Sequence, residues 1–293
     1  MSKNLVASDM GFSRVKFVDS NGTNPVCFPH AVGVLARQTF GLDEPTRKDM
    51  VITLPEGEWA VGYTAMEQSD TPVARRDADW VFSPEYEALL CTGLSELFWG
   101  DATTTFATGL PVEHYGRNSR LKERLIGEHR FRRNGGDWQT ITISEDSVVA
   151  VQGLGALLNQ ALDCNGYVSP RPIPGTNKTW ASATVGIIDG GGATVNYSAF
   201  QGLNEVGKWT AGADLGLLGP IDAIARAIAA DCPKLNPTAA DVALWLEDGQ
   251  FTYMRQVHDV QPYAEAPLRQ HADLIWRQAN SVWRAVGRMD VIL

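Results

Sequence analysis

The first third of the chain gathers apolar residues in short runs broken by polar turn residues. Residues 5–8 and 15–19 are two such runs, separated by Gly11-Phe12-Ser13, and Asp19-Ser20-Asn21-Gly22 is a turn signal. Residues 51–54 and 59–63 flank Pro55-Glu56-Gly57-Glu58, so the opening predicts consecutive hairpins. The period then changes. Leu89, Leu90, Leu94 and Leu97 recur at helical spacing behind Ser83, an N-cap residue type, and Pro84, which suits the first helical position; this predicts a helix over 84–98. A β-branched run at 103–108 ends at Gly109, and 119–126 is a charged amphipathic helix. A hairpin is predicted over 130–143, turning on Asn134-Gly135-Gly136, followed by a strand at 148–151 and a small-residue helix at 153–162.

Residues 169–178, SPRPIPGTNK, concentrate Pro and Gly and predict a linker. Beyond it, strands are predicted at 184–189 and 194–200 around Gly190-Gly191-Gly192. Helices follow at 214–230, at 238–246, where Thr238 and Asp241 are spaced as a capping box, and at 267–288, where Leu268, Ile275, Ala279, Val282 and Val286 share one face. Residues 290–293 predict the opening of a strand. One theme thus occurs twice: a hairpin with a Gly-rich turn, then helices. The pattern predicts an α/β protein of two domains, 1–168 and 180–293, facing a ligand cleft.

Composition narrows the picture. The 293 residues are 44% hydrophobic and 20% charged, an ordinary globular composition whose length fits two compact domains or one large one. A net charge of −9 argues against non-specific binding to a phosphate backbone, so any work on DNA would need a local basic patch or an adaptor protein. Cys27, Cys91, Cys164 and Cys232 are scattered, and the five histidines show no metal-binding spacing; a reducing cytosol is expected. The N-terminus lacks a basic segment followed by an apolar run, and no stretch reaches the roughly 18 apolar residues of a membrane span. Arg117, Arg120, Lys122, Arg124, Arg130, Arg132 and Arg133 cluster locally, as a solvated face or as a contact for a partner.

Two segments carry candidate chemistry. In Asp9-Met10-Gly11-Phe12-Ser13-Arg14-Val15-Lys16 an acidic residue ends a strand and a glycine permits the tight turn. Backbone N–H groups of such a turn can cradle a phosphate, Lys16 can add positive charge, and Asp9 can hold Mg²⁺ through its water shell. In Ile187-Ile188-Asp189-Gly190-Gly191-Gly192-Ala193-Thr194 the logic repeats, and consecutive glycines suit a backbone that approaches a ligand closely.

These residues resemble the phosphate-1 and phosphate-2 loops of the superfamily of actins, sugar kinases and heat-shock chaperones. Asp9 and Gly11 match the first D-x-G; Asp189, Gly191 and Thr194 match D-x-G-x-x-T. Phe28-Pro29-His30, Trp59-Ala60-Val61-Gly62, Ser83-Pro84-Glu85-Tyr86 and Thr108-Gly109-Leu110-Pro111-Val112 resemble the ParM/StbA-like plasmid-segregation branch and archaeal actin-like proteins. Gly212-Ala213-Asp214-Leu215-Gly216 resembles the stretch before a nucleotide-facing helix.

The resemblance implies two RNase-H-like domains closing on ATP (or GTP) and Mg²⁺, with Asp9 and Asp189 as metal residues. Gly11, Phe12, Ser13, Lys16, Gly190, Gly191, Gly192, Thr194, Gly212 and Asp214 would then bind nucleotide. It further implies that Gln152, at the start of the connecting helix, orients the attacking water, with Asp189 in the catalytic set. The implied protein is a cytoplasmic bacterial or archaeal ATPase that assembles with itself into filaments, segregates plasmid DNA through a DNA-binding adaptor and contacts no membrane. The strand at 289–293 is not followed by the glycine pair of the family's third motif, which implies a second domain cut short at its C-terminal end. Two other readings stand: a small-molecule kinase of the same superfamily, which would need an acidic base where Gln152 stands, and a non-catalytic structural protein on the same fold.

Overall fold

The computed structural model describes residues 4–22, 25–35, 50–69, 77 and 79–293. The chain divides into two compact units, Met1–Gln152 and Gly153–Leu293, with the division ahead of the Pro- and Gly-rich stretch.

The first unit contains β1 (Asn4–Met10), β2 (Arg14–Asp19), β3 (Val26–Pro29), β4 (Val32–Gly33), β5 (Val51–Leu54), β6 (Gly57–Val61), α1 (Tyr63–Gln68) and α2 (Pro84–Leu97). It continues with β7 (Ala102–Leu110), α3 (Asn118–Leu125), β8 (Gly127–Arg133), β9 (Trp138–Ile143) and β10 (Val148–Val151). Among the described residues these strands form one sheet in the order β3-β2-β1-β7-β9-β8-β5-β6-β4. β9 lies along the first half of β7 and β10 along its second half, both parallel to it, while β1 runs parallel on the other side.

Helix α2 fixes the core of this unit. The Ser83 side chain accepts the Tyr86 N–H, and Pro84, Glu85 and Glu87 occupy the first turn, where a missing N–H costs nothing and negative charge meets the helix dipole. Nearly every residue from Tyr86 to Ser95 is buried. Gly93 is required by packing rather than by backbone conformation, since a Cβ there would stand 2.1 Å from the Phe17 ring. Below α2, Glu87 joins three elements: its carboxylate meets His129 of β8 and Arg124 of α3. Burial alone would raise the Glu87 carboxyl, but the His129 hydrogen bond and charge, with Arg124, outweigh it and hold it below the usual range. The basic cluster is largely engaged within this unit. Arg133 pairs with Glu96 and Arg117 with Asp79, Arg120 lies over Phe82, and Arg130 and Arg132 lie over Trp138.

The second unit contains α4 (Leu154–Ala161), β11 (Thr184–Gly190), β12 (Val195–Gln201), β13 (Asn204–Glu205), β14 (Ala211–Ala213), α5 (Leu218–Asp231), α6 (Ala239–Asp248), β15 (Gln250–Tyr253), β16 (Gln256–Asp259), α7 (Gln261–Trp283) and β17 (Val291–Ile292). β12 is buried along almost its whole length between β11, β13 and β14. Trp283 is fully buried, meets Tyr197 edge to face and donates its indole N–H to the Trp209 carbonyl at 3.1 Å. A second cluster, Ile224, Ile228, Val242, Phe251, Val260 and Ala264, joins α5, α6, α7 and the β15–β16 hairpin. The segment 169–178 lies within this unit, with Ile173 buried and its N–H bonded to the Lys178 carbonyl.

Most predicted elements are present, including the Thr238–Asp241 capping box. Among the boundaries that differ, three have a physical reason. The strand expected at 59–63 ends at Val61 because α1 begins at Tyr63. The helix expected from 214 begins at Leu218, because the residues before it bond to another segment. The helix expected over 267–288 spans Gln261–Trp283: Pro262 takes the first-turn position, where a missing N–H is tolerated, and Pro267 lies inside the helix. The closing strand is held by Asp290, whose carboxylate accepts the Thr184 N–H and the Lys178 ammonium, each at 2.8 Å. Those two donors hold its pKa below the usual carboxylate value. Among the described residues no helix is long and apolar enough to cross a membrane.

Candidate nucleotide site

In the first unit, three parallel strands end level. Ala7 of β1 pairs with Ala107 of β7, and Val151 of β10 with Leu110, so Asp9, Gly109 and Gln152 come to the same edge of the sheet. Carboxyl ends of parallel strands are where α/β folds gather ligands. A cavity of about 10 Å³, lined by Met10, Phe12, Trp80, Tyr86, Gly109 and Gln152 among others, lies there. Gly109 makes room for Gln152, since a Cβ would stand 3.2 Å from the Gln152 Cγ. The Gln152 N–H bonds to the Leu110 carbonyl at 2.8 Å, which fixes where its side chain starts. Burial and the neighbouring Glu87 charge push the Tyr86 phenol far up, so it stays protonated.

The turn between β1 and β2 is closed by Met10 paired with Val15. A Cβ at Gly11 would stand 2.8 Å from the Arg14 carbonyl oxygen and 3.7 Å from Asp9 Oδ1, so glycine is needed and the Asp9 carboxylate lies close to the turn. Lys16 faces Asp9 across the ladder, and the two exposed side chains pair at 3.1 Å. Beneath the turn, Phe12 stacks with His30 and contacts Trp80, which in turn packs on Tyr86. His30 Nδ1 donates to the Gly11 carbonyl at 2.8 Å, and the His30 N–H donates to the Ser13 carbonyl at 3.0 Å. The Phe12 ring therefore belongs to the core, leaving its backbone N–H as the group a ligand would meet. Among the described residues, the N–H groups of Phe12 and Ser13 donate to no other protein group.

The second unit repeats this turn with the same register. Gly190 pairs with Val195 and Asp189 with Asn196, as Met10 pairs with Val15 and Asp9 with Lys16. A Cβ at Gly191 would stand 3.1 Å from the Thr194 carbonyl oxygen, the counterpart of the Gly11–Arg14 approach. The support is different. The N–H groups of Gly216, Leu217 and Leu218 donate to the carbonyls of Ala193, Gly191 and Gly192 at 3.0, 3.1 and 3.0 Å. These bonds explain why α5 starts only at Leu218. With its carbonyls held from one side, the turn keeps the N–H groups of Gly192, Ala193 and Thr194 unbonded to protein among the described residues. Gly212 reaches this turn by pairing with Asn196, and exposed Asp214 follows β14 directly.

The structure thus brings Asp9, Gly11, Phe12, Ser13, Lys16 and Gln152 to one edge of the first unit. It brings Asp189, Gly190, Gly191, Gly192, Thr194, Gly212 and Asp214 to one turn of the second. Sequence reasoning missed His30 as the support of the first turn and Leu217 and Leu218 as supports of the second. His30 carried a signal only as part of Phe28-Pro29-His30, and the other two act through backbone, which sequence does not mark.

Comparison with known proteins places this geometry. The family profile of the actin-like proteins' N-terminal domain matches residues 7–155. No curated protein sequence matches the chain. A 15-stranded ParM filament from Clostridium botulinum is similar over 100% of this chain and 88% of that one, at 20% identity and a TM-score of 0.78. An archaeal actin homologue, Ta0583, in complex with ADP matches over 99% and 86%, at 16% identity and 0.77. Bacillus thuringiensis ParM with ATP matches over 100% and 87%, at 17% identity and 0.71. At such identities the likeness shows the fold, which is mixed α/β and actin-like. The family match spans half of the chain and includes the first turn, Gly109 and Gln152; the chain belongs to the actin-like protein family, with a ParM-like fold.

Proposed function

We propose that the chain is an actin-like ATPase that binds ATP with Mg²⁺ and assembles with itself into filaments. The observation that carries this reading is the matched pair of turns. Each places unbonded backbone N–H groups after an acidic residue at the end of a strand, in the same register. Such groups suit phosphate oxygens. Lys16 adds charge to the first turn, and Thr194 closes the second.

The donor chemistry fits Mg²⁺, a hard cation that takes carboxylate oxygens and keeps several waters. Asp9 and Asp189 would hold it, and when bound it supplies charge neutralisation to the phosphates. Gln152 has no acid–base chemistry of use here; its amide orients the attacking water by hydrogen bonds while the two turns position the phosphates. The ADP- and ATP-bound relatives and the ParM filament support nucleotide binding and self-assembly as the family's use of this fold. Plasmid DNA segregation is the role proposed for the filament. The net charge of −9 argues against direct non-specific DNA contact and supports an adaptor protein in that role.

Phosphate release from ATP·Mg²⁺, measured with sedimentation of the same samples, tests the proposal. Gln152→Ala should lower the release rate by about 10²-fold or more, as loss of a positioned transition-state contact does, with ATP affinity nearly unchanged. An unaltered rate would remove Gln152 from the site.

A further inference from the structure

Away from both turns, three side chains that are far apart in sequence meet below α2. Glu87 and Cys91 stand one helical turn apart on α2, and His129 reaches them from β8. His129 Nδ1 lies 2.5 Å from Glu87 Oε1, and the Cys91 thiol lies 3.6 Å from the same oxygen. One ligand atom from each lies within 4.8 Å of the other two. We propose that Glu87, Cys91 and His129 form a zinc site, with one carboxylate oxygen, one thiolate, one imidazole nitrogen and a water as the four ligands.

The donor set selects the ion. Sulfur with nitrogen and a single carboxylate suits borderline-soft Zn²⁺ and disfavours Mg²⁺ and Ca²⁺. Zinc lies about 2.0–2.3 Å from such ligands, so tetrahedral ligand atoms stand roughly 3.3–3.8 Å apart. The sulfur–oxygen separation of 3.6 Å already matches. The oxygen–nitrogen pair, now at hydrogen-bond distance, has to open by about 1 Å, which a small rotation of the Glu87 side chain provides.

The surroundings are those of a held site. His129 Nε2 donates to the Leu125 carbonyl at 2.8 Å, which fixes the ring and aims Nδ1 at Glu87 and Cys91. A ligating histidine normally has such a bond on its other nitrogen. Arg124 lies 3.5 Å from the second Glu87 oxygen and holds the carboxylate from behind. Cys91 is fully buried and His129 nearly so, while a cavity of about 440 Å³ lined by Glu87 and His129 gives an entry path and space for the water. Glu56 and Glu128 on its wall offset Arg124 and Arg130.

Charge does not oppose binding. Without metal the site holds a carboxylate, an imidazolium and a neutral thiol beside Arg124. One Zn²⁺ enters as two protons leave to solvent, one from His129 Nδ1 and one from the Cys91 thiol, so the net buried charge is unchanged.

The test uses the full chain with the exposed Cys27 and Cys164 changed to serine, so that Cys91 and buried Cys232 are the remaining thiols. Titration with Co²⁺ should give one bound ion, a near-ultraviolet thiolate-to-metal band and the visible bands of four-coordination, all displaced by Zn²⁺. Cys91→Ser in this background, with unchanged far-ultraviolet circular dichroism, should lose the near-ultraviolet band and bind at least tenfold more weakly. X-ray absorption on the zinc-loaded parent is independent of how any variant folds and should find one sulfur neighbour. No thiolate band, an equal band in Cys91→Ser, or no sulfur neighbour would overturn the site.

Discussion

The two glycine turns share a sequence logic and a register, but they are built in different ways. The first rests mainly on side chains, with one main-chain bond from the His30 N–H to the Ser13 carbonyl. His30 holds the carbonyls of Gly11 and Ser13, and Phe12, Trp80 and Tyr86 pack beneath. The second rests on backbone, with three successive N–H groups at the entry to α5 bonded to three turn carbonyls. A support made of side chains can be removed piecemeal by substitution. A support made of main chain is sensitive chiefly where a Cβ cannot fit. The two turns should therefore respond differently to mutation, although their motifs look alike.

The largest effect is expected at Gly216. A Cβ there would stand 2.2 Å from the Gly192 oxygen and 2.3 Å from the Ala193 carbonyl carbon, both rigid backbone atoms. Gly216→Ala should displace the second turn and destabilise the chain by about 3 kcal/mol, at the upper end for overpacking. Urea unfolding measures the loss, and ATP should no longer raise the melting temperature. A variant that keeps both its midpoint and its ATP response would show that the main-chain support is dispensable.

Asp189→Ala comes next, because it leaves the second turn's main-chain supports in place and removes a proposed metal and catalytic carboxylate. Phosphate release should be abolished with little change in the unfolding midpoint; unchanged release would remove Asp189 from the site.

At the first turn, His30→Phe preserves an aromatic ring but deletes the bond to the Gly11 carbonyl. A hydrogen bond is worth about 1 kcal/mol, so ATP affinity should fall about fivefold while the second turn is untouched. Calorimetry of ATP binding reads this directly, and an affinity equal to that of the parent would assign His30 to packing alone.

Smaller still is the pH dependence of the second unit's closing strand. The folded pKa of Asp290 is lowered by Lys178 and the Thr184 N–H. Its contribution is therefore present above the unfolded carboxylate pKa and is lost as pH falls through the folded one. Asp290→Asn should flatten the acid limb of the melting temperature; an unchanged limb would mean that another carboxylate governs it.

The sequence showed the turns because glycine and aspartate at fixed spacing mark a tight strand-to-strand turn, and it showed α2 and α6 because their caps are local. The supports were hidden for a physical reason. His30, Trp80 and Tyr86 meet only through tertiary packing, and Leu217 and Leu218 contribute N–H groups that any residue but proline carries. The predicted start of α5 at 214 failed on the same point, since these N–H groups are used outside the helix. Glu87, Cys91 and His129 were likewise invisible, because no local spacing joins β8 to α2.

Phosphate binding at the glycine turns carries the proposed ATPase activity. Phosphate release from ATP·Mg²⁺, followed together with sedimentation on the full chain, on Asp189→Ala and on Gln152→Ala, tests it most directly. The expected result is ATP-triggered assembly with phosphate release in the parent, and release lost in Asp189→Ala and strongly reduced in Gln152→Ala. A parent chain that neither releases phosphate nor changes its melting temperature with ATP would contradict the account.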